Sequence, residues 1–207
     1  MNVKHPLFPF VKNEKVVEYI DNLVKAIPNL KVKIEPPRHT KLGYMKDDKS
    51  KHIYIISLNN NLSPSKFLYV FLHEYAHLLV VKQYKHKNKP HGIEWQQTFF
   101  NLLNQAIENQ LFHPQITDTI IKQFLKPFIY SKKRDALIIE AINKIDHPTP
   151  IIYVKDLNPG SIFQLSNGFQ FKMIEKRRTR YICENLQSHK KYLVSSFATV
   201  NKIILKM

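Results

Sequence analysis

Two histidines and a glutamate, His73, Glu74 and His77, stand in the spacing H-E-x-x-H. Residues four apart on a helix lie one above the other on the same face. Two imidazoles so placed can reach one Zn²⁺ ion. Glu74 projects to the side of that pair, where it can take a proton from water activated by the ion without being a ligand itself. A catalytic zinc centre wants three protein ligands and one open position. His91 and Glu94 are the two candidates for the third ligand. His91 is preferred, because Gly92 beside it lets the backbone approach closely and neutral imidazole is a good zinc donor. His86 is a weaker candidate, since no Gly-aromatic context follows it. The H-x-x-G-x-x-H continuation of one zinc-peptidase class is absent, because Val80 stands where its Gly would be.

A helix must carry the first two ligands. Ser63 is a suitable N-cap and Pro64 suits the first turn, and no Gly or Pro interrupts the run from Ser65 to Lys89. Phe67, Val70, Phe71, Leu78 and Leu79 surround the polar trio, which predicts a buried helix. Burying two His and a Glu among such residues is costly unless something pairs with them, and a metal would do so.

The flanking elements read as α+β. Residues 13–27 carry helical spacing, with Asn13 as N-cap and Pro28 at the end. Leu30 to Glu35 alternates as a half-buried strand, Arg38 to Met45 forms a second, and the apolar His52 to Ser57 a third and central one. Downstream, Ile93 to Gln110, Thr117 to Phe128 and Ser131 to Ile145 carry helical spacing, with Trp95 packed beside the site. The pattern changes at His147-Pro148-Thr149-Pro150. The expected organisation is therefore a domain over 1–146, a linker over 147–150 and a small basic β domain over 151–207. Six short stretches in the last part read as strands: Ile151 to Val154, Ser161 to Leu165, Gln170 to Lys176, Arg180 to Glu184, Lys191 to Val194 and Thr199 to Leu205. Turn signals at Asn158-Pro159-Gly160 and Asn167-Gly168 suggest a small β-barrel-like or SH3-like sheet.

H-E-Y-A-H, a short basic loop and then H-G-I-E-W resemble the SprT-like metalloprotease domain, the domain also found in the Spartan protease. Arg38-His39-Thr40-Lys41-Leu42-Gly43 resembles that family's R-x-T-x-x-G segment, and the apolar strand running to Asn59, Asn60 and Leu62 resembles the strand before its active-site helix. The resemblance implies a zincin-like domain over roughly the first 145 residues, with one Zn²⁺ on His73, His77 and His91 and Glu74 as catalytic base. It also implies a sheet whose edge can hold a substrate strand, and a protein substrate linked to DNA. Many relatives carry a Cys zinc ribbon after this domain, and this chain, with the single cysteine Cys183, departs from that pattern. Arg38 and Tyr44 are the candidates for stabilising an oxyanion.

The 207 residues carry a formal net charge of +16, which points to anionic partners rather than to a fold. Lys82, Lys85, Lys87 and Lys89 crowd the stretch between the metal candidates, where they could guide a phosphate backbone. From residue 151 onward ten basic side chains face three acidic ones, a net +7, with Lys176, Arg177, Arg178 and Arg180 beside Tyr181. One cysteine excludes an internal disulfide. The start lacks the apolar core of a signal peptide, and no 18-residue apolar run occurs. The expectation is a cytoplasmic zinc endopeptidase with nucleic-acid contact, no membrane partner and oligomeric state open. The alternative is a nucleic-acid-binding, transcription- or repair-associated protein with a proteolytically silent zinc domain.

Overall fold

The computed structural model describes residues 5–38, 41–85, 88–125, 129–147 and 149–207. His39, Thr40, His86, Lys87 and Pro148 lie outside them, so the readings placed on those positions stand as sequence expectations. The chain divides into two units, Met1–Asp146 and His147–Met207. No described helix is long and apolar enough to cross a membrane.

Among the described residues the first unit mixes six helices with a three-stranded sheet. A short α1 (Phe8–Val11) leads to α2 (Glu14–Lys25), where the Asn13 side chain accepts from the Val16 amide at 3.3 Å. Strands β1 (Leu30–Glu35), β2 (Gly43–Asp48) and β3 (Ile53–Asn59) follow. β3 is central, parallel to β1 and antiparallel to β2. Its residues Ile55 to Asn59 are all buried, as a strand covered on both faces requires. The second strand runs from Gly43 to Asp48, later than the expected Arg38 to Met45. Arg38 is instead fixed ahead of it, its Nε donating to Asn59 Oδ1 at 2.8 Å and its Nη1 to Glu35 Oε2 at 2.7 Å.

Helix α3 (Pro64–Tyr84) is buried on most sides, with Phe67, Leu68, Phe71, Leu72, Ala76 and Leu78 at or near zero exposure. Gly43 permits its packing on β2. A Cβ there would meet Val70 Cγ1 at 2.9 Å, Ser57 O at 3.0 Å and Glu74 Cγ at 3.1 Å. Ser63 sits at the N-cap in extended conformation, but its side chain makes no capping bond. The cap comes from the far end of the unit: Asp146 accepts from the Ser65 amide at 2.8 Å and from Ser65 Oγ at 2.7 Å. A carboxylate at a helix N-terminus is also favoured by the helix dipole. At the other end Lys85 turns left-handed, φ 53°, and ends the helix short of Lys89 without a glycine. Helices α4 (Ile93–Glu108), α5 (Pro114–Gln123) and α6 (Lys132–Asp146) complete the unit. α5 begins earlier than the expected Thr117, because Pro114 suits a first helical turn and His113 caps it through Gln115 N, while the expected end at Phe128 lies outside the described residues.

The second unit is an antiparallel sheet of β4 (Ile162–Leu165), β5 (Gln170–Lys176), β6 (Arg180–Asn185), β7 (Lys191–Ser195) and β8 (Val200–Leu205). The order is β7-β6-β5-β4-β8, with β7 and β8 at the two ends. Gly168 turns the β4–β5 hairpin at φ 85°, as Asn167-Gly168 predicts. Ile151 to Val154 is not a strand. Asp156 accepts from the Tyr153 amide at 2.9 Å and closes a 3-10 turn over Val154–Asp156, leaving a single bridge from Tyr153 to Thr199. Phe163, Phe171, Met173, Tyr181, Cys183 and Val194 form the core with Val154 and Leu157. Cys183 is a buried packing residue, its thiol pushed up to about 11 by burial.

Candidate metal centre

His73 and His77 lie one turn apart on α3, and His91 reaches them from the turn before α4. His91 Nε2 is 3.1 Å from His73 Nε2 and 3.2 Å from His77 Nε2. The three form the one group of side chains able to hold a metal ion found among the described residues. Glu94, the rival third ligand, is not part of it.

These separations fit a metal. Tetrahedral nitrogens at zinc–nitrogen bond length lie about 3.3 Å apart. A neutral imidazole has one N–H and one lone pair, so three such rings meeting at one point through Nε2 crowd lone pairs that hydrogen bonds among them cannot all satisfy. A cation at that point resolves the conflict. The rings are kept in the ligating, neutral form. Burial, with His77 and His91 adding to it, lowers the His73 pKa to about 3. Burial and His91 lower His77 to about 4, and burial with Lys132 lowers His91.

Trp95 forms the floor. It is 1% exposed, and its ring centroid lies 4.6, 5.1 and 4.5 Å from those of His73, His77 and His91. Tyr130 covers His91 from another side, stacked at 5.1 Å with 23° between the rings. Gln96, in the first turn of α4, donates from Nε2 to the His91 carbonyl at 2.9 Å and accepts from the Tyr130 amide at Oε1 at 3.0 Å. One turn ahead of His73, the Tyr69 hydroxyl donates to Asp135 at 2.7 Å. Burial pushes the Asp135 carboxyl up to about 6.

Glu74 packs against β2, its Cγ 3.1 Å from where a Cβ at Gly43 would stand. Burial pushes its carboxyl up to about 7, against the Met45 backbone N–H that bonds it and the charges of Lys41 and Arg38. Arg38 and Tyr44, the candidates for stabilising an oxyanion, are engaged with each other and with Glu35. The Tyr44 hydroxyl donates to Glu35 at 3.3 Å, and Arg38 lies over the Tyr44 ring at 4.8 Å. Lys82, Lys85 and Lys89 are exposed. In the second unit Arg177, Arg178 and Arg180 line an open groove that Lys176 does not.

A family model described as the SprT-like family matches residues 13–117. The chain belongs to the SprT-like family. Membership implies a zinc metalloprotease-type domain, and the matched stretch contains all three histidines and Glu74. Comparison with curated proteins and with solved structures finds no match. Tyr130 and Asp146 lie beyond the stretch that the SprT-like model matches. Gln96 lies within it, but its partner Tyr130 is 34 residues away, so no local pattern pairs them.

Proposed function

We propose that the chain is a zinc-dependent endopeptidase of the SprT-like type acting on proteins associated with DNA. The observation that carries this reading is the meeting of three imidazole Nε2 atoms one residue away from a buried, near-neutral carboxyl. His73, His77 and His91 would hold the ion. When bound, zinc supplies Lewis acidity toward a carbonyl oxygen and makes a neighbouring water more acidic. Glu74 accepts a proton from water at its carboxylate and returns it to the leaving amine. A pKa near 7 suits a group that must take and give a proton at neutral pH. The Met45 amide holds that carboxylate beside β2, an end strand of its sheet. An extended peptide paired to that strand would pass Glu74.

The test is Glu74→Gln. Zinc content should stay at one ion per chain, while cleavage falls roughly 10²–10⁴-fold, the range for loss of a general base. A variant that cleaves at the normal rate would remove Glu74 from the mechanism, and a wild-type chain that takes up no zinc would remove the peptidase reading.

The nucleic-acid part rests on the second unit. Arg177, Arg178, Arg180 and Lys191 line a groove floored by Ile182 and Leu193, which face each other across β6 and β7. Leu193 is 57% exposed and Tyr192 46% exposed. Cations over an apolar and aromatic floor suit a single strand, with phosphates on the arginines and bases against the floor. Arg177 is shared with Glu175 at 3.2 Å, which leaves Arg178, Arg180 and Lys191 as the stronger contacts. Anisotropy titrations with a labelled single-stranded oligonucleotide should show tight, salt-sensitive binding. Salt-insensitive or absent binding would confine the proposal to proteolysis.

A further inference from the structure

Two of the three histidines need no help to stay in place. His73 and His77 project from a continuous, buried helix, so their backbone positions are set by α3 itself. His91 has no such support. It lies outside any helix or strand, and its backbone is left-handed at φ 57°. A side chain with a Cβ adopts that conformation only at a cost, and it persists where the surroundings hold it.

We infer that Gln96 and Tyr130 form a brace whose role is to position His91 as the third metal ligand. The inference rests on the zinc reading above. The Gln96 amide fixes the backbone, since its Nε2–H donates to the His91 carbonyl at 2.9 Å while Oε1 accepts from the Tyr130 N–H at 3.0 Å. The orientation of the amide follows from its partners, because one side must donate and the other must accept. Neither glutamate nor lysine can do both. The Tyr130 ring fixes the imidazole plane, stacked on one face at 5.1 Å, while Trp95 stands edge-on at 4.5 Å. Tyr130 itself is seated by Trp95 at 5.0 Å and Phe124 at 5.6 Å. The third ligand is thus held in part by Tyr130, which lies past residue 117, where the family match ends.

Groups that orient a metal ligand typically govern metal affinity by about 10–100-fold. Zinc affinity of the full chain, measured by competition with a chromophoric chelator, reads the brace directly. Gln96→Leu removes both bonds and should weaken zinc binding about 10–100-fold. Gln96→Glu keeps the acceptor for Tyr130 and loses the donor to His91, so it should fall between Gln96→Leu and wild type. Tyr130→Phe keeps the stacked ring and the backbone N–H and should bind within about threefold of wild type, whereas Tyr130→Ala should weaken binding about 10-fold. Far-UV circular dichroism and the urea midpoint of the metal-free variants separate positioning from folding. If Gln96→Leu does not fold, the ordering of Gln96→Glu below wild type carries the test. A wild-type chain that binds one zinc tightly, with Gln96→Leu and Gln96→Glu equal to it, overturns the brace and leaves the zinc site standing. A wild-type chain that takes up no zinc overturns the zinc reading, and the brace with it.

Discussion

The two units use ionisable side chains in opposite ways. The first buries them. His73, His77 and Glu74 sit on a helix whose neighbours are almost all apolar and inaccessible, and burial lowers the pKa of both imidazoles and raises that of the carboxyl. The second keeps its arginines in solvent, where they line an open groove, and buries only a thiol and phenol rings in its core. Burial makes a few groups costly, and so ties the chemistry of the first unit to its fold. Exposure lets the second unit carry a high charge without its packing depending on any one residue. Substitutions in the first unit should therefore damage fold and site together, and those in the second should change binding alone.

The largest expected effect is at His73. His73→Ala removes a ligand from the rigid helix and should lower zinc affinity by more than the brace variants do, beyond about 100-fold, as chelator competition would show. Gly43→Ala comes next. The added methyl has no room between Val70, Ser57 O and Glu74, so it should destabilise the first unit by about 1–3 kcal/mol, read as a lower urea midpoint, and displace Glu74, read as slower cleavage. An unchanged midpoint would mean that α3 and β2 are looser than their contacts indicate.

pH gives a third test. His73 and His77 titrate near 3 and 4 when folded, against an ordinary 6.5. The unfolded chain therefore binds protons first as pH falls. The stability these rings contribute is complete above 6.5 and is lost as pH drops toward 4 and 3. Urea midpoints of the metal-free protein should fall over that interval, and less steeply in His73→Phe. A smaller effect is expected at Asp146, where loss of the cap on α3 should cost about 1 kcal/mol. In the second unit, Arg178→Glu with Arg180→Glu should leave the urea midpoint unchanged. It should flatten the logarithmic salt dependence of single-strand binding by about 1.4, the value for two phosphate contacts. A drop in the midpoint would contradict the contrast between the units.

What could be read from the sequence follows the same division. H-E-x-x-H and His91-Gly92 were legible because helical spacing and ligand chemistry are local. The central β3, the α2 cap at Asn13 and the Asn167-Gly168 turn were legible for the same reason. The local signal, a Ser before Pro64, points to Ser63 as the cap on α3. The residue that performs it is 81 positions away from Ser65. Gln96 with Tyr130 and Tyr69 with Asp135 leave no local signal either, as these partners meet only after α4, α5 and α6 have packed. Ile151 to Val154 read as a strand by its apolar residues, while Asp156 just past it closes the turn.

The bond from Asp146 to Ser65 joins the last residue of the first unit to the opening turn of its most buried helix. A polypeptide emerging from the ribosome must therefore expose all of α6 before α3 gains its cap. Chains cut just ahead of Asp146 would keep the three histidines and yet leave the Ser65 amide without its partner. Helix α3 should consequently fray from its first turn in any such fragment, with faster hydrogen exchange near Ser65 than near His77.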